Sequence, residues 1–174
     1  MDGCDSQMNN RAERRRQLAE VKRKLRDPIV RRLVDDEVRR GGVTEVYRLD
    51  GSDIDEPIYF NVSAMREWAD GCCEIIAMPV DFERAERLLE SGAIDMDRIA
   101  NHTIRNNPKP IIVCRGLRGE DQIVDGAHTF IAICMASKYS GLPLPVPSYV
   151  LLPDQWKRFI ISKHVVEMTG MSDG

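Results

Sequence analysis

The chain has 174 residues, 43% of them apolar and 30% charged, with a net charge of −3. That is enough for one domain with a core, or one core plus a helical arm, and it excludes a wholly disordered chain and a second full domain. No stretch approaches the roughly 18 uninterrupted apolar residues of a membrane span. The first ten residues, Met1 to Asn10, have no apolar run to serve as a signal peptide, so a cytoplasmic protein is expected.

Five cysteines without a Cys-x-x-Cys pair argue against a disulfide framework and a thiolate zinc site, and His102 and His164 lack partners at metal-ligand spacing. Residues 11–40 hold twelve Lys/Arg against six Asp/Glu, whereas residues 41–174 hold thirteen against twenty. Leu18, Val21 and Leu25 make one narrow helical stripe, and Asp27-Pro28 restarts a helix that Ile29, Leu33 and Val34 continue to Gly41-Gly42. Residues 1–42 are therefore read as a basic helical arm, whose stripe requires a partner: the body of the domain or a second copy in a homodimer. Its Arg14-Arg15-Arg16 and Lys22-Arg23-Lys24 clusters suit DNA phosphates, although a charge run on a helix is more often a solvated face.

Residues 43–174 are read as one α+β domain. Val43–Leu49 and Pro57–Val62 are β-rich runs about Asp50-Gly51, expected as a two-stranded ribbon. Ser63 is the expected cap of a short helix through Trp68. Glu74–Met78 reads as a buried strand ended by Pro79, and adjacent Cys72 and Cys73, if extended, face opposite sides so that one is core. Phe82, Ala85, Leu88 and Leu89 share a helical face, with Asp81 as cap and Gly92 as stop, and a further short helix is expected over Asp97–Arg105.

Lys109–Arg115 is a buried-type strand, and glycines at 116 and 119 permit a hairpin that returns as Gln122-Ile123-Val124. The strand stops at Asp125-Gly126, where a helix from Ala127 to about Tyr139 begins, apolar nearly all round and so buried on several sides. Gly141 and Pro143 end it. Pro145–Leu152 follows as a strand, and Asp154 caps a closing helix that turns Trp156, Phe159, Ile160 and Val165 to the core.

A glycine turn that opens a helix leaves backbone N–H groups converging at the positive end of the helix dipole, which favours an anion. His128 can donate to a phosphate or move a proton, and Asp125 can hold a base or a metal-bound water. The plainer reading is structural: Asp125 caps the helix, Gly126 permits the bend, and His128 satisfies backbone groups.

The run of a Lys-Pro-Ile-Ile-Val strand, hairpin, strand, Asp125-Gly126-Ala127-His128, buried helix, Gly-Leu-Pro and a Val-Pro-Ser-Tyr-Val strand resembles the ParB/sulfiredoxin fold over about half the chain. That resemblance implies a small mixed sheet with a central buried helix and a nucleotide, ATP or CTP with magnesium, whose phosphates lie on Gly126, Ala127, His128 and Thr129. It also implies basic residues around the first core strand, where Lys109, Arg115 and Arg105 stand. Members of the family carry an arginine after the histidine, where this chain has Thr129. Sulfiredoxin carries its cysteine before the histidine, where this chain has Ala127, so sulfinic-acid reduction has no nucleophile here. A full partition protein is not expected, because only about twenty residues follow the last strand and a helix-turn-helix domain does not fit there. Two classes remain: a phosphate- or nucleotide-binding protein, with or without transfer or hydrolysis of a phosphoryl group, and a non-catalytic DNA- or protein-binding module whose nucleotide site has decayed.

Overall fold

In a computed structural model, the described residues are 31, 32, 35, 42, 43, 45–50, 57–92, 94–97, 99 and 108–169. The arm lies outside them except for Gly42 and for Arg31, Arg32 and Asp35, the last three helical and exposed, and so do Arg105 and most of the helix expected over Asp97–Arg105. Among the described residues the chain is mixed α+β, with two small sheets and five α-helices. It divides into two units: the described residues up to Ala64 with those from Phe159 onward, and Met65–Arg158. No helix among the described residues is long and apolar enough to cross a membrane.

In the first unit, β1 (Val46–Leu49) pairs antiparallel with β2 (Ile58–Asn61), as the β-branched and aromatic runs require. The expected two-stranded ribbon is in fact a three-stranded sheet, because β7 (Ile160–Ile161) pairs with the other edge of β2. Tyr59, Ile161, Val165 and Val166 form its core, the last two from α5 (Lys163–Thr169). Helix α1 (Val62–Cys72) runs out of this unit. Its cap is Asn61, not Ser63: the Asn61 Oδ1 accepts the Ala64 N–H at 3.0 Å and the Ser63 hydroxyl at 2.9 Å.

The second unit is a four-stranded sheet in the order β3 (Ile76–Met78), β6 (Val146–Leu151), β4 (Ile111–Leu117), β5 (Glu120–Asp125). β4 and β6 run parallel and the other pairs antiparallel. The β4–β5 hairpin turns through Arg118-Gly119, with Gly116, Arg118 and Gly119 all at positive φ. α3 (Ala127–Ser140) packs Phe130, Ile131 and Ala132 against Ile111, Val113, Ile123 and Val146. At about 1.5–3 kcal/mol for each large side chain removed from water, this cluster anchors the unit.

Four expectations are corrected. β3 is an edge strand with Ile75 and Ile76 exposed, because pairing on one side only leaves half of it in water. Cys72 ends α1 in solvent and Cys73 is half-buried just beyond it, so neither is core. In α2 (Phe82–Glu90) only Ala85 is buried, while Phe82 and Leu89 are exposed. The closing helix is broken into α4 (Pro153–Trp156), a 3₁₀ turn at Lys157–Phe159, β7 and α5, which leaves Ile160 exposed while Trp156, Phe159 and Val165 are buried.

Candidate functional site

Gly126 joins β5 to α3 with φ at 87°, a left-handed conformation that side chains disfavour. A Cβ there would stand 2.7 Å from Cγ2 and 3.1 Å from Cα of Ile111, so glycine is required for backbone conformation and for close approach to β4. Its carbonyl accepts the Phe130 N–H at 2.9 Å and closes the first helical turn. Gly126 has no side chain with which to cap this helix, so the 14-residue helix begins at Ala127 without an N-cap side-chain bond.

Thr129 adds a polar group to this helix start. It is 6% exposed. Cα–Cβ bonds in a helix tilt toward the N-terminus, so the third residue carries its hydroxyl back toward the turn.

His128 and Asp125 both have protein partners. The Asp95 N–H donates to His128 Nε2 at 3.1 Å, which requires that nitrogen to be unprotonated and places the ring proton on Nδ1. Arg66 donates through Nε to Asp125 Oδ2 at 2.9 Å and again through Nη2, while its Nη1 donates to the Pro110 carbonyl. Since Ile112 pairs with Asp125, Arg66 ties together the start of β4 and the end of β5, directly below the glycine turn. Its guanidinium also lies 6.0 Å from the centre of the Tyr149 ring. Burial, then a hydrogen bond to Asp70, pushes the Tyr149 phenol above its ordinary value.

The structure therefore brings Asp125, Gly126, Ala127, His128 and Thr129 to one place, and Lys109 is exposed two residues before β4. Arg115 is elsewhere: it sits toward the other end of β4, exposed, with its guanidinium 3.6 Å from Asp121. The cysteines within the sheet and helix are unsuited to nucleophilic work, because burial pushes Cys114 up to about 12 and also raises Cys134.

Arg66 escaped the sequence reading. A signal for it existed: Val62, Met65 and Ala69 form the buried stripe of α1, and position 66 falls on that same stripe. A cation on an apolar stripe requires a buried acceptor.

No protein-family model matches the chain, and no curated protein and no solved structure matches it.

Proposed function

We propose that this chain is a ParB/sulfiredoxin-like phosphate-binding protein that takes the phosphate of a nucleotide, ATP or CTP, on the Ala127, His128 and Thr129 N–H groups. The observation that carries this reading is the uncapped start of α3 at a left-handed glycine. Thr129, the third residue of α3, supports it, since its hydroxyl can supply one of the contacts that an arginine makes in the resembling families.

The geometry favours binding over turnover. A proton shuttle at His128 must first give up the Asp95 N–H, and a base or magnesium ligand at Asp125 must first give up Arg66. Magnesium carried by a nucleotide thus finds no uncommitted carboxylate at Asp125. A thermal-shift screen of ATP, CTP and inorganic phosphate, with and without magnesium, tests the reading, since a ligand that binds only the folded chain raises its melting temperature. A concentration-dependent rise that Gly126→Ala or Thr129→Val abolishes is expected; no rise with any of them refutes the proposal.

A further inference from the structure

The two edges of the four-stranded sheet are finished differently. β5 carries Glu120 and Asp121, its pairing with β4 shifts register twice, and Arg84 of α2 donates through Nη2 to the Asp121 carbonyl at 2.5 Å. Charge, irregularity and a covering side chain are the means by which an edge is kept from pairing with a further strand. β3, at the opposite edge, has β6 on one side only. Ile76 and its neighbour Ala77 are both exposed, and consecutive residues of a strand point to opposite faces, so both faces of this edge are open. Ile75, just before the strand, is 59% exposed and Ile76 is 50% exposed.

The backbone of this edge has a defined direction. Opposed residues of an antiparallel ladder alternate between pairs that exchange both N–H···O bonds and pairs that exchange none. Ala77 is opposed by Pro147, which has no N–H to give, so this pair is of the second kind. The Ala77 N–H and C=O therefore point away from β6, to the open side. Residues 75–80 carry no charge, but Glu74 and Asp81 bracket them, and residues 67–90 hold seven Asp/Glu against two Arg. All seven acidic residues are exposed, and of the two arginines Arg84 is held by the Asp121 carbonyl.

We propose that the β3 edge is a docking site for an extended strand of a partner protein, apolar at its centre and flanked by Lys or Arg, which pairs with the Ala77 backbone and covers Ile75 and Ile76. Main-chain bonds supply the attachment and the exposed isoleucines supply the apolar contact, as in strand addition to other sheets. The bracketing carboxylates select the charge of the strand. A second copy offering the same edge would set like charges against each other, whereas basic flanks complement them. A strand added here covers well under about 1,200 Å² in total, which places the complex among transient ones. The inference is independent of the phosphate reading.

The test is titration of the full-length ¹⁵N-labelled chain with the synthetic peptide Lys-Lys-Thr-Val-Ile-Val-Thr-Lys-Lys, its Glu-flanked counterpart, and the Lys-flanked peptide N-methylated at its three central residues. The Lys-flanked peptide is expected to shift the amides of residues 74–78 and to slow exchange of the Ala77 N–H. The Glu-flanked peptide is expected to bind about tenfold more weakly or worse, with the difference shrinking as salt is raised, and the N-methylated peptide, which cannot pair, not to bind. Ile76→Lys is expected to lose the Lys-flanked peptide at unchanged melting temperature, since a lysine on an exposed edge blocks pairing without disturbing the core. Where that variant does not fold, Ile75→Lys replaces it. Absence of shifts at residues 74–78, equal binding of the Lys- and Glu-flanked peptides, equal binding of the N-methylated peptide, or undiminished binding by the lysine variant each overturn the proposal. Self-association of the chain that moves the same amides without peptide would assign the edge to a second copy and overturn it as well.

Discussion

Two helices of the second unit begin in opposite ways. α2 is closed by its own chain: the Asp81 carboxylate accepts the Arg84 N–H at 3.0 Å, which satisfies one of the donors every helix start exposes. α3, the longer helix at 14 residues against 9, begins at a glycine with no side chain to offer. A closed start is a stability device and leaves little for an anion to do. A start at a glycine forgoes about 1 kcal/mol of side-chain capping. α1 follows the α2 pattern through Asn61, whereas the open start belongs to the helix that contributes Phe130, Ile131, Ala132 and Cys134 to the core cluster.

The largest effect that would sharpen this contrast is expected at Gly126. Gly126→Val places a β-branched side chain at φ 87° and within 2.7 Å of Ile111, so a loss of about 3 kcal/mol or more in denaturant unfolding is expected. Gly119→Ala is the control: it also has positive φ, 79°, but opens onto space, and strain without a clash costs about 1 kcal/mol. Equal losses would mean that the approach to Ile111 is relieved by movement of β4.

Next comes Arg66→Met, which strands Asp125. Breaking a fully buried pair costs about 3–5 kcal/mol. This pair is 18% and 21% exposed, so about 2 kcal/mol is expected, with partial recovery when Asp125→Asn is added. No recovery in the double variant would show that the Pro110 contact, and not the charge pair, carries the stability. Asp81→Ala follows at about 1 kcal/mol, the ordinary value of a side-chain cap. A negligible loss would mean that α2 draws nothing from being closed, and the contrast with α3 would lose its energetic content.

Much of the core and of the turn was legible because local rules agree there. Ile111–Cys114 is a continuous buried run, the glycine-flanked hairpin follows, and Asp125-Gly126 interrupts the strand where an apolar helix begins. What was illegible depends on partners distant in sequence. Arg66 lies 59 residues from Asp125, and a charged residue on a short helix reads as solvated until its acceptor is known. The exposure of Ile75 and Ile76 follows from strand order, since β3 becomes an edge only once β6 has inserted beside β4. The break at Lys157–Phe159 is likewise set by the pairing of Ile160 and Ile161 with β2, because tertiary strand pairing there overrides a helical period in the sequence.

The smallest expected effect is at His128. Its Nε2 accepts a hydrogen bond from the Asp95 N–H, but Asp95 is exposed, so truncation to alanine hands that donor to water. A loss of about 0.5–1 kcal/mol is expected in denaturant unfolding, well below Gly126→Val, together with faster amide exchange at Asp95. If the imidazole serves only to hold the segment around Asp95, His128→Ala leaves phosphate affinity at the α3 start unchanged, since the backbone N–H of residue 128 survives the substitution. A tenfold loss of phosphate affinity at unchanged stability would instead place the ring in contact with the anion. The helix start would then be open in its backbone and selective through His128.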